Sequence, residues 1–258
     1  MEYLFACDLD NTLIHSYKHK TDGDICIEIY NGREQSFISS RVAELLREVV
    51  KKVLFVPVTT RSIEQYQRIQ WIKGTEPEYA VVSNGANLIH DDDIDFKWKA
   101  YFFNEHIQPY TDELNQQQIL LSQNPNFTIC RIVDGSFLFL KCSDTIDVEN
   151  VSTEIQEQTN LTVQHSGRKI YLFPPKLNKG KALLRLKKLF NPDKVFCAGD
   201  SIIDMPMLNL ADIAFVPNVL IDIMNGDQIK IFNSAESILE NIIKASATTF
   251  ESITFNSN

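Results

Sequence analysis

Nowhere in the 258 residues does an apolar run approach the ~20 residues that cross a bilayer, so a membrane-spanning protein is not expected. Positive charge is in deficit: 25 lysines and arginines face 34 aspartates and glutamates, for a formal charge of -9. General nucleic-acid binding needs a basic surface to displace phosphate counterions, and this balance argues against it. If the substrate is anionic, the field that receives it must be local. The five cysteines (Cys7, Cys26, Cys130, Cys142, Cys197) are odd in number and never fall in the paired spacing of a zinc site. Nor do the five histidines share a metal-ligand spacing. Glycine and proline, nine each, are too few for a low-complexity chain. Met1-Glu2-Tyr3 lacks the basic segment of a secretory leader, so with free thiols a cytoplasmic location is expected. What is present is ordinary in amount, 44% hydrophobic and 23% charged residues. The length exceeds the usual single-domain mode of about 100 to 150 residues, which predicts one large domain or a core with an inserted module.

Periodicity divides the chain. The apolar run Tyr3 to Cys7 predicts a buried strand, and Ile25 to Tyr30 followed by Asn31-Gly32 predicts a hairpin. Ser39-Ser40 before Val42, Leu45, Leu46 and Val49 predicts a capped amphipathic helix. Val53 to Val58 predicts a second buried strand despite Pro57, Ser62 to Ile72 a helix, and Tyr79 to Val82 a third strand. Strand, helix, strand, helix, strand is the signature of a parallel α/β sheet. From Leu88 the pattern changes to an acidic turn at Asp91 to Asp93, a polar helix from Thr111 to Ser122, and hairpins around Asp134-Gly135 and Ser166-Gly167 with a helix between them. After Pro174-Pro175 the core pattern resumes, with a helix from Gly180 to Phe190 and strands at Val195 to Ala198 and Ile213 to Val216. A helix from Ser234 to Lys244 precedes an irregular tail after Thr248. The expected fold is α/β, a Rossmann-like parallel core of residues 1–87 and 174–258 with an inserted α+β module over 88–173.

Three predicted strand ends carry polar groups: Asp8 and Asp10, Thr59, and Asp200 with Asp204. A lone pair such as Asp8-Leu9-Asp10 is commonly an ordinary strand-end turn. Parallel strands, however, bring all their carboxyl ends to one edge of the sheet, where ligands bind in open α/β folds. Lys179 opens a helix that re-enters the core there. Four carboxylates and one lysine carry a surplus of negative charge that a divalent cation would offset, and hard oxygen donors suit Mg2+.

These residues resemble the haloacid dehalogenase superfamily, whose signatures occur here in order. DxDxT spans Asp8 to Thr12, the strand-end threonine is Thr59, the lysine lies in Asn178-Lys179-Gly180-Lys181, and the acidic motif is Gly199-Asp200-Ser201-Ile202-Ile203-Asp204. Ser83-Asn84-Gly85-Ala86 and the position of the inserted module further resemble the Cof-type and sucrose-phosphatase-like branches with a C2 cap. The resemblance implies a nucleophile at Asp8, which would take the phosphoryl group, and a general acid and base at Asp10. It implies phosphoryl contacts from Thr59 and Lys179, and a substrate contact from Asn84. It also implies Mg2+ held by Asp8, Asp200 and the backbone carbonyl of Asp10, with Asp204 orienting the lysine or a metal-bound water. Two positions depart from the pattern: Asn11 and Thr60 stand where the family often has glycine.

The activity so implied is Mg2+-dependent hydrolysis of a small phosphorylated metabolite, a sugar or polyol phosphate, through an aspartyl phosphate. Two other readings share the residues: a phosphomutase that passes the phosphoryl group to a sugar hydroxyl, and a non-enzymatic regulator that keeps the fold. Selectivity is expected in the inserted module, with Phe102, Phe103, Arg131, Arg168 and Lys169 as candidates.

Overall fold

The computed structural model describes residues 3–224 and 226–254, with side chains described as far as residue 247. Strand β1 (Tyr3–Cys7) is buried throughout. It is followed by β2 (His15–Ser16), β3 (Asp24–Tyr30) and β4 (Arg33–Ser39), a small antiparallel sheet in the order β2-β4-β3. Its hairpin turns at Asn31 and Gly32, with φ of 50° and 71°, the left-handed pair that a two-residue turn between twisted strands requires. Helix α1 (Ser40–Val49) is capped by Ser39, whose Oγ accepts from the Val42 N–H at 3.1 Å.

Strand β5 (Leu54–Pro57) tolerates its proline for a geometric reason. The Val58 N–H donates to Cys7 in β1, so the missing N–H of Pro57 would have pointed away from that partner. Helix α2 (Ile63–Gln67) ends well short of the expected Ile72. Beyond it Ile69 bridges Glu28 and the Gln70 N–H donates to Ile27, so pairing with β3 displaces the last helical turn. Strands β6 (Tyr79–Val82), β7 (Asn87–His90) and β8 (Asp93–Ile94) form a second antiparallel sheet, turning at Asp91 and Asp92.

The chain then forms α3 (Phe96–Phe102), α4 (Thr111–Ser122), β9 (Phe127–Val133), β10 (Phe137–Cys142), α5 (Val148–Gln156), β11 (Thr162–Ser166) and β12 (Lys169–Phe173). The last four strands make an antiparallel sheet in the order β11-β12-β10-β9. One face of this sheet presents Leu138, Leu140, Ile170 and Leu172 to Leu114, Leu121 and Ile155 of α4 and α5. The other face is free of helices in its outer part and looks into a cleft described below.

Helix α6 (Lys179–Phe190), β13 (Lys194–Ala198), α7 (Met205–Leu208), β14 (Ile213–Val216), β15 (Ile229–Ile231) and α8 (Ala235–Thr254) complete the chain. The edge strand β15 is too short and too polar at Lys230 for periodicity to reveal. The irregular tail expected after Thr248 continues α8 to Thr254, and residues 255–258 lie outside the described residues. Among the described residues no helix is long and apolar enough to cross a membrane.

The fold is α/β. Its central sheet is parallel throughout, in the order β15-β14-β13-β1-β5. Alternate residues of each strand enter opposite apolar layers: Leu4, Ala6, Val56 and Cys197 face α6, while Phe5, Cys7, Phe55 and Phe196 face α1 and α8. Because β13, β1 and β5 are neighbours, the segments after Ala198, Cys7 and Pro57 emerge side by side.

Candidate active site

Asp8 follows β1 directly and is 6% exposed. Lys179, the first residue of α6, is 1% exposed and donates to Asp8 Oδ1 and Asp204 Oδ1, both at 2.5 Å. Asp204 is held on its other oxygen by the N–H groups of Asp200 and Ser201 and by the Ser201 hydroxyl, at 3.2, 3.0 and 2.8 Å. Gly199 makes that loop possible, since a Cβ there would stand 2.4 Å from the Asp204 Cβ. Asp8, Asp200 and Asp204 each offer a carboxylate oxygen, all within 4.8 Å of one another.

The electrostatics follow from burial. Loss of solvent pushes the Asp8 carboxyl well above its usual range, Lys179 opposes this, and Asp204 and Asp200 add to it. Asp200 is likewise raised, to about 6, by burial and by Asp204, against the pull of Lys179 and a hydrogen bond from Asn11. The Lys179 ammonium loses solvation too, but Asp204 and Asp8 more than compensate and hold it charged. Hard carboxylate oxygens from Asp8 and Asp200, beside an Asp204 whose oxygens are taken by Lys179 and the 200–201 turn, fit a divalent ion such as Mg2+, whose charge would relieve both raised carboxyls.

Asp10 does not join this cluster through its carboxylate. Asn11 adopts φ of 63°, so the backbone turns away, and the Asp10 oxygens sit in a fork with Arg61, Nε to Oδ2 and Nη2 to Oδ1, both at 2.8 Å. Crowding by protein would raise the Asp10 carboxyl, but the charge and hydrogen bonds of Arg61, helped by Lys169, hold it below the usual carboxylate range. Asparagine is tolerated at position 11 because it enters the left-handed region more readily than most residues. The second departure faces the inserted module: Thr60 and Tyr171 of β12 line the same cleft, and Thr60 eases the rise that burial imposes on the Tyr171 phenol.

Thr59 is buried at the end of the β5 segment, where its Oγ1 accepts from the Arg61 N–H at 3.1 Å. Asn84 is buried at φ of 57°, and its Nδ2 donates to the Leu177 carbonyl at 3.2 Å while its Oδ1 has no partner. It thus ties the 83–86 turn to the segment that launches Lys179. Thr12 Oγ1 is another buried oxygen without a partner.

Sequence reasoning missed the basic network above Asp10. Arg61 also donates to Glu28 at 2.8 Å and to the Ser36 hydroxyl at 2.9 Å, and Arg68 pairs with the same Glu28 at 3.0 Å. Strict alternation in β3 would turn Glu28 outward, but the register shifts on both sides of it, leaving Glu28 3% exposed and Ile29 52% exposed. The adjacency of Arg61 to Thr59 was the one signal available.

A cleft of about 550 Å³ opens beside Asp10, Thr60 and Arg61, between the β3–β4 hairpin, α2 and the open face of the β9–β12 sheet. Of the selectivity candidates, Arg131 and Lys169 line it. Phe102 is instead buried against Trp98, Phe103 is not in the lining, and Arg168 turns to the Ile146 carbonyl at 2.7 Å.

A family model described as haloacid dehalogenase-like hydrolase matches residues 96–216. No curated protein sequence matches the chain. Among solved structures, the sucrose-phosphatase of Synechocystis sp. PCC6803, in complex with sucrose and phosphate, is 18% identical with a TM-score of 0.67, covering 95% of this chain and 98% of that one. A haloacid dehalogenase-like hydrolase from B. subtilis is 18% identical with a TM-score of 0.58, covering 93% and 98%. A trehalose-6-phosphate phosphatase related protein is 13% identical with a TM-score of 0.56, covering 97% and 100%. At these identities the likeness speaks for the fold.

Proposed function

We propose that this chain, which a haloacid dehalogenase-like hydrolase model matches over residues 96–216, is an enzyme of that family and hydrolyses a small phosphorylated metabolite, a sugar or polyol phosphate. The observation that carries the reading is the buried Lys179 bridging Asp8 and Asp204 beside Asp200, at the ends of adjacent parallel strands. Sugar phosphatases among the similar structures support the substrate class.

Asp8 is the nucleophile. Its carboxylate oxygen attacks phosphorus, the bond from phosphorus to the leaving oxygen breaks, and Asp10 gives that oxygen its proton. Water then attacks the aspartyl phosphate and yields a proton to Asp10, and the bond from Asp8 to phosphorus breaks to release inorganic phosphate. Lys179 and Thr59 hold phosphoryl oxygens, the lysine offsetting charge that spreads over them. Asp8 and Asp200, with the Asp10 carbonyl, would hold Mg2+, which when bound supplies positive charge against the carboxylate and the phosphoryl group. Asp204 keeps Lys179 in place, because both of its oxygens are already committed. Residues 88–173 act as a cap over the core of residues 1–87 and 174–258, and chemistry and selectivity are divided between them.

The test is phosphate release from a panel of sugar and polyol phosphates and from p-nitrophenyl phosphate, with Mg2+ and with chelator. Turnover of small esters that requires the metal and vanishes in Asp8→Asn is expected. Failure to hydrolyse any of them, or full activity in Asp8→Asn, overturns the reading.

A further inference from the structure

The open face of the β9–β12 sheet carries a row of cations that the chemistry at phosphorus does not use. Register puts Lys141 of β10 directly opposite Lys169 of β12, and Ile129 opposite Lys141 on the other side. One pair nearer the core, Arg131 faces Phe139, with its guanidinium 5.9 Å from the ring, and Phe139 faces Tyr171. Arg131, Lys141 and Lys169 all line the same cleft as Asp10.

Like charges placed directly opposite on paired strands destabilise a sheet. Among the described residues none of the three cations forms an ion pair with a carboxylate, and Asp10, which Lys169 influences from a distance, is already paired with Arg61. The other two cations of the cleft are already neutralised, Arg61 by Asp10 and Glu28, and Arg68 by Glu28 and Glu64. In a chain of formal charge -9, this row concentrates positive charge in the cleft beside Asp10.

Position sets the scale. Tyr171 touches the core through Thr60, beside Asp10. Lys169 and Lys141 lie two residues further along their strands, roughly 7 Å outward. Between the two levels the wall is apolar and aromatic, formed by Phe137, Phe139 and Tyr171. A sugar-sized group lying along this wall from Asp10 would bring its far end toward the level of the two lysines.

The geometry points to a substrate whose leaving group bears a second anionic group, a carboxylate or a second phosphoryl group, seated on Lys141, Lys169 and Arg131. The inference rests on the phosphatase reading for its first phosphate and names the leaving group for that same site. A neutral sugar would leave the lysine pair opposed and unrelieved, whereas an anion one ring away from the scissile phosphate relieves it and gains charge-assisted hydrogen bonds.

Matched pairs test it in the full-length protein with Mg2+: 6-phosphogluconate against glucose 6-phosphate for the carboxylate, and glucose 1,6-bisphosphate against glucose 1-phosphate for the phosphoryl group. In at least one pair the anionic member is expected to show kcat/KM at least tenfold higher at low ionic strength, a ratio that shrinks as salt is added. Lys141→Gln combined with Lys169→Gln brings that ratio close to one, and Arg131→Gln lowers it less. A wild-type ratio of one or below in both pairs, or a ratio that the double substitution leaves unchanged, overturns the inference. If no ester is hydrolysed, the phosphatase reading falls alone, because equilibrium binding of the same pairs still decides this one. Tighter binding of the anionic member, lost in the double variant, supports it, and equal binding refutes it.

Discussion

In the proposed reaction, Asp10 and Arg61 form the pair on which the proton chemistry turns. Held as an anion, Asp10 is ready to accept a proton from water but must gain one before it can protonate a leaving alkoxide. With its carboxyl held low, the protonated fraction rises as pH falls. Turnover of an alkyl phosphate relative to p-nitrophenyl phosphate, which needs little protonation, should therefore increase toward acid pH. Arg61→Gln removes the charge that lowers Asp10, so the same rise should begin at higher pH. Taking the ratio of the two esters cancels changes in metal binding, and a ratio flat with pH in both proteins would count against Asp10 as the acid. Asp8→Asn keeps the volume and hydrogen-bonding capacity of the side chain while removing the proposed nucleophile. It should lower kcat by roughly 10³-fold or more, with thermal unfolding close to wild type.

At the scale of elements, two contacts tie the open-faced sheet and the hairpin to the core. The tip of the β9–β10 hairpin is fixed by Asp134, whose Oδ2 accepts from the Ser83 hydroxyl at 2.5 Å and the Ile63 N–H at 2.9 Å. Asp134→Ala leaves both donors without a partner and should destabilise the protein by about 1–3 kcal/mol, read by denaturant unfolding. It should also raise KM for every ester, because the sheet that walls the cleft loses its anchor; unchanged KM would show the anchor to be dispensable. The β3–β4 hairpin is fixed by Glu28 between Arg61 and Arg68. Burial would raise the Glu28 carboxyl, but Arg61, Ser36 and Arg68 hold it below its usual value of 4.5. A lowered carboxyl contributes stability that is present above the unfolded value and lost as pH falls through the folded one. The gap in unfolding free energy between wild type and Glu28→Gln should thus be largest near neutrality, about 3 kcal/mol, and should narrow below pH 4.5.

For the molecule as a whole, a metal held as proposed by the acidic cluster would make metal binding and stability interdependent. Asp200 is raised to about 6, so the folded state holds its proton more tightly than the unfolded chain does. Stability is therefore lost as pH rises from the ordinary aspartate value of 3.8 through about 6. The proposed Mg2+ would bind the deprotonated form, so its addition should raise Tm more at pH 7 than at pH 5, and Asp200→Asn should abolish most of that increment. Equal increments at the two pH values would remove Asp200 from the ligand set. Net charge works in the same direction, since a chain at -9 gains from any bound cation.

The parallel core, the hairpin at Asn31-Gly32, the strand ends and the motif residues were all legible in the sequence. Their signals are local: buried parallel strands read as continuous apolar runs, left-handed turns demand Asn or Gly, and a parallel sheet delivers every strand's carboxyl end to one edge. Tertiary structure alone decided the rest, because those features depend on register and on partners distant in the chain. A shift of register turned Glu28 inward, pairing with β3 ended α2 at Gln67, and Arg61 captured the Asp10 carboxylate that alternation had placed beside Asp8. The facing of Lys141 and Lys169 belongs to the same class, since residues 28 positions apart become neighbours only when two strands pair in one particular register.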